Sequence, residues 1–316
     1  MGGERTATLN RARLLFLVTA VLIGLGFVAM KVGLSYIPPL LFAAFRIDIA
    51  AMLLLAYVIL RTGDWRPRTR QDVIAILAGG VFFTFGSLAF LFIGLQGTTS
   101  GVAAIIYSLD PVLTIALASF LLADERLSLL GLLGVLVALV GVGIVVQPNP
   151  SHFVSGNLLG EEYVLLGVVT LAIGGVLIRW SNHELGELAV TAWSMVVAAP
   201  AMHVVSVGVG ESIASVEPTL TALIILLYVG VFMTAVGYST YFMLIEDVGA
   251  VRASFVQYLI PVVASVTGWL VLSERLPPEA LFGYLVIFVG FLLLNFEAVK
   301  TAIGRVRRTP ESAETQ

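Results

Sequence analysis

The chain has 316 residues, of which 59% are hydrophobic and only 12% charged, with a net charge of −3 and no cysteine. A water-soluble domain needs far more charge to cover its surface, so lipid must solvate most of this one, in keeping with a mean hydropathy of +1.03. Disulfides and thiolate sites are excluded, the small charge gives no reason to expect nucleic acid, and spans of ~20 residues laid end to end leave no room for a soluble catalytic domain.

In chain order, the first apolar stretch, 14–34, follows Arg5, Arg11 and Arg13. It is too long for the apolar core of a signal peptide, and no small-residue cleavage site precedes the next span, so it reads as a retained helix. Further spans are expected at 39–60, 72–94, 99–122 and 128–146, then at 160–180, 187–208, 219–244, 249–272 and 278–298. Breaker pairs separate them: Pro38-Pro39, Gly63-Asp64, Gln96-Gly97, Pro148 to Pro150, Glu217-Pro218 and Pro277-Pro278. The longest connection, 147–159, holds no Lys or Arg and reads as a linker between two halves. The segment 299–316 is expected to be a cytoplasmic tail, polar and disordered past Arg308. The 31 glycines suit membrane helices that approach closely.

Basic residues near the span ends set the orientation. With the N-terminus inside, the inner side takes Arg5, Arg11, Arg13, Arg61, Arg66, Arg68, Arg70, Arg126, Arg179, Arg252, Lys300, Arg305, Arg307 and Arg308. Only Arg275 falls outside, so both termini are expected in the cytoplasm and the number of crossings is even.

An internal repeat organises the spans. Placing Pro111 on Pro261 aligns Leu109 with Leu259 and Ala103 with Ala253. After one residue of slippage, Glu125, Arg126, Leu127, Gly134 and Gly141 fall on Glu274, Arg275, Leu276, Gly283 and Gly290. Lys31 falls on Arg179 and Gly26 on Gly174. The expected fold is therefore an all-α membrane protein of ten transmembrane helices, as two repeats of five over 14–146 and 160–298. An odd helix count inverts one repeat relative to the other, an arrangement typical of transporters that bind near the midplane between halves.

Each half resembles the EamA-type domain of the drug/metabolite transporter superfamily. The likeness rests on Pro111 and Pro261, the Glu-Arg-Leu turns at 125–127 and 274–276, and the glycines that follow. Gly24-Leu25-Gly26 through Lys31 and Phe45-Arg46 in the first half add to it, whereas Ser194 stands in the second half where the first has Arg46. The resemblance covers about 14–298 and implies a carrier in the cell membrane that moves small organic metabolites, often outward, by alternating access.

Charges inside the bilayer cost about 2.5–3.5 kcal/mol at a helix centre, so few are expected without purpose. Asp110 precedes Pro111, which removes a backbone donor and leaves a carbonyl to face a cavity; its carboxylate could bind an ammonium group or take up a proton, or form a structural pair. Arg46 and Asp48 lie roughly 200° apart around their helix and must find separate partners. Arg46 could hold a substrate carboxylate, meet Asp110, or pin its helix to the bundle; Asp48 reads as structural or cavity-facing, and Lys31 as snorkelling to the outer interface. Tyr107, Gln257 and Tyr258 lie a turn before the prolines; Thr84, Ser87, Tyr238, Tyr241, Trp193 and Ser194 complete the candidate wall, with ordinary packing as the alternative role. His152, His183 and His203 are scattered, so no metal, cofactor or catalytic constellation is expected. Gly79-Gly80 and Gly174-Gly175 read as helix contacts, and Glu274 and Asp124-Glu125 as caps or loop locks.

These features point to a secondary carrier, sufficient as a monomer, whose partners are a small solute such as an amino acid, the bilayer, and in one version a proton. A passive facilitator and a membrane-embedded lipid-modifying enzyme are the alternatives.

Overall fold

The computed structural model describes residues 2–61, 63, 65–122, 127–149, 151–152, 158–296 and 300, with side chains from residue 10. The expectations that rest on Asp124 to Arg126 and on the tail beyond Lys300 lie outside the described residues. Every regular element among the described residues is helical. Nine of the described helices are long and apolar enough to cross a membrane: α1 (Gly2–Gly33, spanning from Asn10), α2 (Pro39–Arg61), α3 (Arg70–Gly94), α4 (Ser100–Leu121), α5 (Leu129–Val146), α6 (Gly160–Trp180), α7 (Glu187–Gly208), α8 (Leu220–Val248) and α9 (Ala250–Leu272). A shorter apolar helix, α10 (Pro278–Leu294), follows.

Local chemistry explains the boundaries. Thr69, Thr99, Ser128 and Thr219 each accept a bond from a backbone N–H in the first turn of α3, α4, α5 and α8, satisfying donors that a helix start leaves over. Proline opens α2 and α10, where its missing N–H costs nothing. Gly249 turns α8 into α9 at φ +83°, a conformation that a side chain would strain. The start of α1 at Gly2 rather than 14 reflects its polar extension, in which Arg11 Nε meets Asp247 Oδ2 at 3.3 Å. Leu60, Phe120, Leu129 and Leu220 are each more than 70% exposed, as residues facing lipid can be.

Hydrogen bonds gather the helix ends at two opposite faces. At one, Lys31 Nζ donates to the Leu95 and Thr98 carbonyls, Ser100 N and Oγ donate to Glu274, and Leu40 N and Leu41 N donate to Glu211. At the other, Glu184 N and Leu185 N donate to Asp72, and Trp193 Nε1 donates to the Trp65 carbonyl at 2.6 Å.

Glycines set the closest helix approaches. A Cβ on Gly134 would lie 2.6 Å from the Gly290 carbonyl oxygen, and one on Gly290 would lie 2.6 Å from that of Gly134. Gly141 and Gly283 face each other in the same reciprocal way, so α5 and α10 run antiparallel along a shared seam. Across the bundle, α2 lays Ile49 against Gly230 of α8, and α7 lays Val197 against Gly80 of α3.

Two of the long helices depart from α geometry. α3 is π-helical over Gly79–Gly86 and α8 over Tyr228–Val236. Both stretches carry the same pattern, Gly80-Val81-Phe82-Phe83-Thr84 and Gly230-Val231-Phe232-Met233-Thr234.

Candidate functional site

Helices α1 to α4 from the first half and α6, α8 and α9 from the second surround a cavity of about 250 Å³. Ile23, Phe27, Phe83, Leu88, Leu91, Leu171, Met233 and Phe242 make most of the wall apolar. Arg46, Ser87, Tyr107, Asp110, Tyr238, Tyr241 and Gln257 supply its polar groups.

The chain breaks before Pro111 and Pro261 position three of these. Neither proline can donate to the carbonyl four residues back, which belongs to Tyr107 in α4 and to Gln257 in α9, both of them wall residues. α4 tightens there, with Leu109 N bonded to the Ile106 carbonyl, and α9 runs as a 3₁₀ turn over Ser254–Tyr258. Asp110 sits at the resumption of α4, where its Oδ1 accepts from Thr114 Oγ1 at 3.2 Å. Tyr107 donates to the Ser87 carbonyl at 2.9 Å and meets Phe27 edge-on, while Ser87 Oγ donates to the Phe83 carbonyl.

Arg46 is only 1% exposed. Its Nε donates to Thr234 Oγ1 at 2.9 Å and its Nη1 to the Met30 sulfur at 3.3 Å, and among the described residues it makes no ion pair with a carboxylate. Arg46 and Asp110 thus line one cavity with opposite charges and without pairing. Asp48, on the other side of α2, lies 2.8 Å from His203 Nε2 and takes no part in the wall.

Burial differs along the cavity. One or two turns nearer the face that carries Lys31 and Glu274, Met30, Phe42, Phe92, Leu95 and Ala103 are fully buried. Tyr238, Tyr241, Phe242 and Gln257, by contrast, keep part of their surface exposed.

Four candidate residues, Thr84, Trp193, Ser194 and Tyr258, lie outside the wall. Trp193 stacks on Trp65 at the helix ends, with ring centroids 6.3 Å apart. Tyr258 is buried against Phe288 and Phe291, and its carbonyl accepts from the Tyr284 hydroxyl. Ser194, opposite Arg46 in the repeat, packs on Gly79 and donates to the Ile76 carbonyl at 3.3 Å. Lys31 donates to backbone carbonyls in the turn between α3 and α4, and Glu274 holds the start of α4. Sequence reasoning missed Thr114, Thr234, Phe27 and Leu171. Only Thr234 left a signal, its place in the repeated Gly-Val-Phe-x-Thr pattern.

The EamA-like transporter family matches this chain twice, over residues 10–147 and 158–296. A WAT1-related protein of Arabidopsis thaliana, described as chloroplastic, is 30% identical over 282 residues, covering 86% of this chain and 66% of that protein. A Salmonella typhimurium protein named "Probable amino-acid metabolite efflux pump" is 27% identical over 308 residues, covering 93% of this chain and 96% of that one. A crystal structure aligns with 92% of this chain and 98% of its own at a TM-score of 0.64 and 18% identity, a likeness of fold alone.

Proposed function

Because the chain belongs to the EamA-like transporter family and is a multi-pass membrane protein, we propose that it is a secondary active carrier that exports small organic metabolites, amino acids among them. The cavity that both halves line, with Asp110 and Arg46 left unpaired to each other, carries this reading. A mostly apolar pocket with a few placed polar groups suits a small amphipathic solute. The efflux of amino-acid metabolites named for the Salmonella relative favours the same class.

In this reading α10 is a tenth span. Its 17 residues fall at the short end for a crossing, but the seam keeps it beside α5, itself a span, at both Gly283 and Gly290. Ten spans form two inverted repeats of five, supported by the reciprocal glycine contacts and by the matched π-helical stretches. In the same reading the protein lies in the plasma membrane with both termini cytoplasmic, supported by the basic residues near the span ends. Asp110, in the cavity wall, is then the group that takes up a proton or recognises a cation.

Purified protein in proteoliposomes, assayed for flux of amino acids with and without a pH gradient, tests the proposal. Asp110→Asn is expected to remove pH-dependent flux. Intact flux and pH dependence in that variant would refute its role, and the absence of counter-transport would replace the carrier with a passive facilitator.

A further inference from the structure

A hydroxyl of the π-helical stretch of α8 ties that stretch to Arg46 of the cavity wall. Thr234 Oγ1 donates its proton to the Val229 carbonyl five residues back, at 2.7 Å. A hydroxyl has one proton, so the same oxygen can only accept from Arg46 Nε, 2.9 Å away. One residue of the second half thus caps a carbonyl of the π stretch and fixes the guanidinium of the first half. Gly230 beside it lets α2 approach until Ile49 lies within 2.8 Å of where a Cβ would stand. The matching stretch of α3 has no such tie, because α7 brings Ser194 there instead of an arginine.

A guanidinium has five N–H donors in a rigid fork suited to two carboxylate oxygens. Here Nε goes to Thr234, one donor goes to a thioether, which is a weak acceptor, and no carboxylate of the described chain takes the rest. An arginine this deeply buried needs an anion or a full set of acceptors, and it lines the cavity. We propose that Thr234 is the positioning residue that holds Arg46 as a carboxylate-recognition group, and that the transported class is organic carboxylates. This rests on the carrier reading of the cavity. Binding of the carboxylate joins ligand, Arg46, Thr234 and the Val229 carbonyl in one network, so occupancy is felt in α8.

The test uses full-length protein with Thr234→Val, which keeps the shape but removes the hydroxyl, and Thr234→Ser, which keeps the hydroxyl. The probes are the L-amino acids, each beside the amine left by removing its carboxylate. For carboxylate probes the KM of Thr234→Val is expected to rise about tenfold, the size of a lost bond to a charged group. Thr234→Ser stays near the wild type, and the amines, bound without Arg46, do not separate the variants. Hydrogen exchange over 228–236 is expected to slow when a carboxylate probe binds wild type and not when it meets Thr234→Val, while 79–86 responds in neither. Equal KM values for wild type and Thr234→Val, or an equal loss with the amines, would overturn the proposal while leaving the carrier reading in place. If wild type moves no probe, the carrier reading fails; exchange over 228–236 then decides on its own, and no slowing by any carboxylate overturns the proposal.

Discussion

Substituting Gly134 with Ala should part α5 from α10. The added Cβ would stand 2.6 Å from the Gly290 carbonyl oxygen, 2.6 Å from the Leu294 nitrogen and 3.0 Å from the Leu294 Cα. All three are backbone atoms, so no rotamer change relieves the contact, and the helices must separate locally by about 1 Å to reach ordinary van der Waals distance. Overpacking of this kind costs about 1–3 kcal/mol, against a gain of about 1 kcal/mol from replacing a helical glycine. The net expectation is a loss of up to about 2 kcal/mol, read as a lower midpoint of unfolding in detergent. Gly143, in the same helix, has open space around it, with nothing within 4 Å of the place a Cβ would occupy. Gly143→Ala should therefore be neutral or stabilising by up to about 1 kcal/mol. Because the glycine contacts are reciprocal, Gly290→Ala should cost as much as Gly134→Ala, and the double variant less than their sum, since one separation of the helices accommodates both. Gly134→Ala proving as stable as Gly143→Ala would refute the close approach of these helices.

Three further outcomes follow from the hydrogen bonds. Glu274→Gln weakens the charged acceptor for Ser100 N and Oγ at the start of α4 and should lower stability by about 1–2 kcal/mol in a detergent melt. Trp193→Phe removes the bond to the Trp65 carbonyl but keeps a stacked ring, so stability should fall by about 1 kcal/mol while KM stays unchanged in the flux assay. In a double-mutant cycle, alanine at Asp48 and at His203 should show a coupling of about 0.6 kcal/mol, typical of polar pairs between membrane helices.

The rotation of each span about its axis was the part least legible in the sequence. A helix that is apolar all round has no polar stripe to say which side faces inward. Gln257 and Tyr258 are neighbours, yet one lines the cavity and the other packs on Phe288 and Phe291. Trp193 and Ser194 part in the same way, one to Trp65 and the other to Gly79. Where two charges shared a helix the geometry could be read, since Arg46 and Asp48 do diverge, to Thr234 and to His203. Their partners could not, because those lie in α8 and α7, far along the chain.

The repeat itself separates what packs from what lines the cavity. Positions where the halves agree are largely places of close approach: Gly80 with Gly230, Gly134 with Gly283, and Gly141 with Gly290. A backbone contact repeated in both halves needs the same small residue twice. Several wall positions, by contrast, differ in chemistry between the halves: Asp110 falls on Ile260, Tyr107 on Gln257, Ser87 on Gly237, and Arg46 on Ser194. A solute has no two-fold symmetry, so a site between two equivalent halves can match it only where equivalence is broken. Thr234 shows the two demands meeting at one residue: it is shared with Thr84 as part of the π-helical pattern, but only in the second half does it meet an arginine.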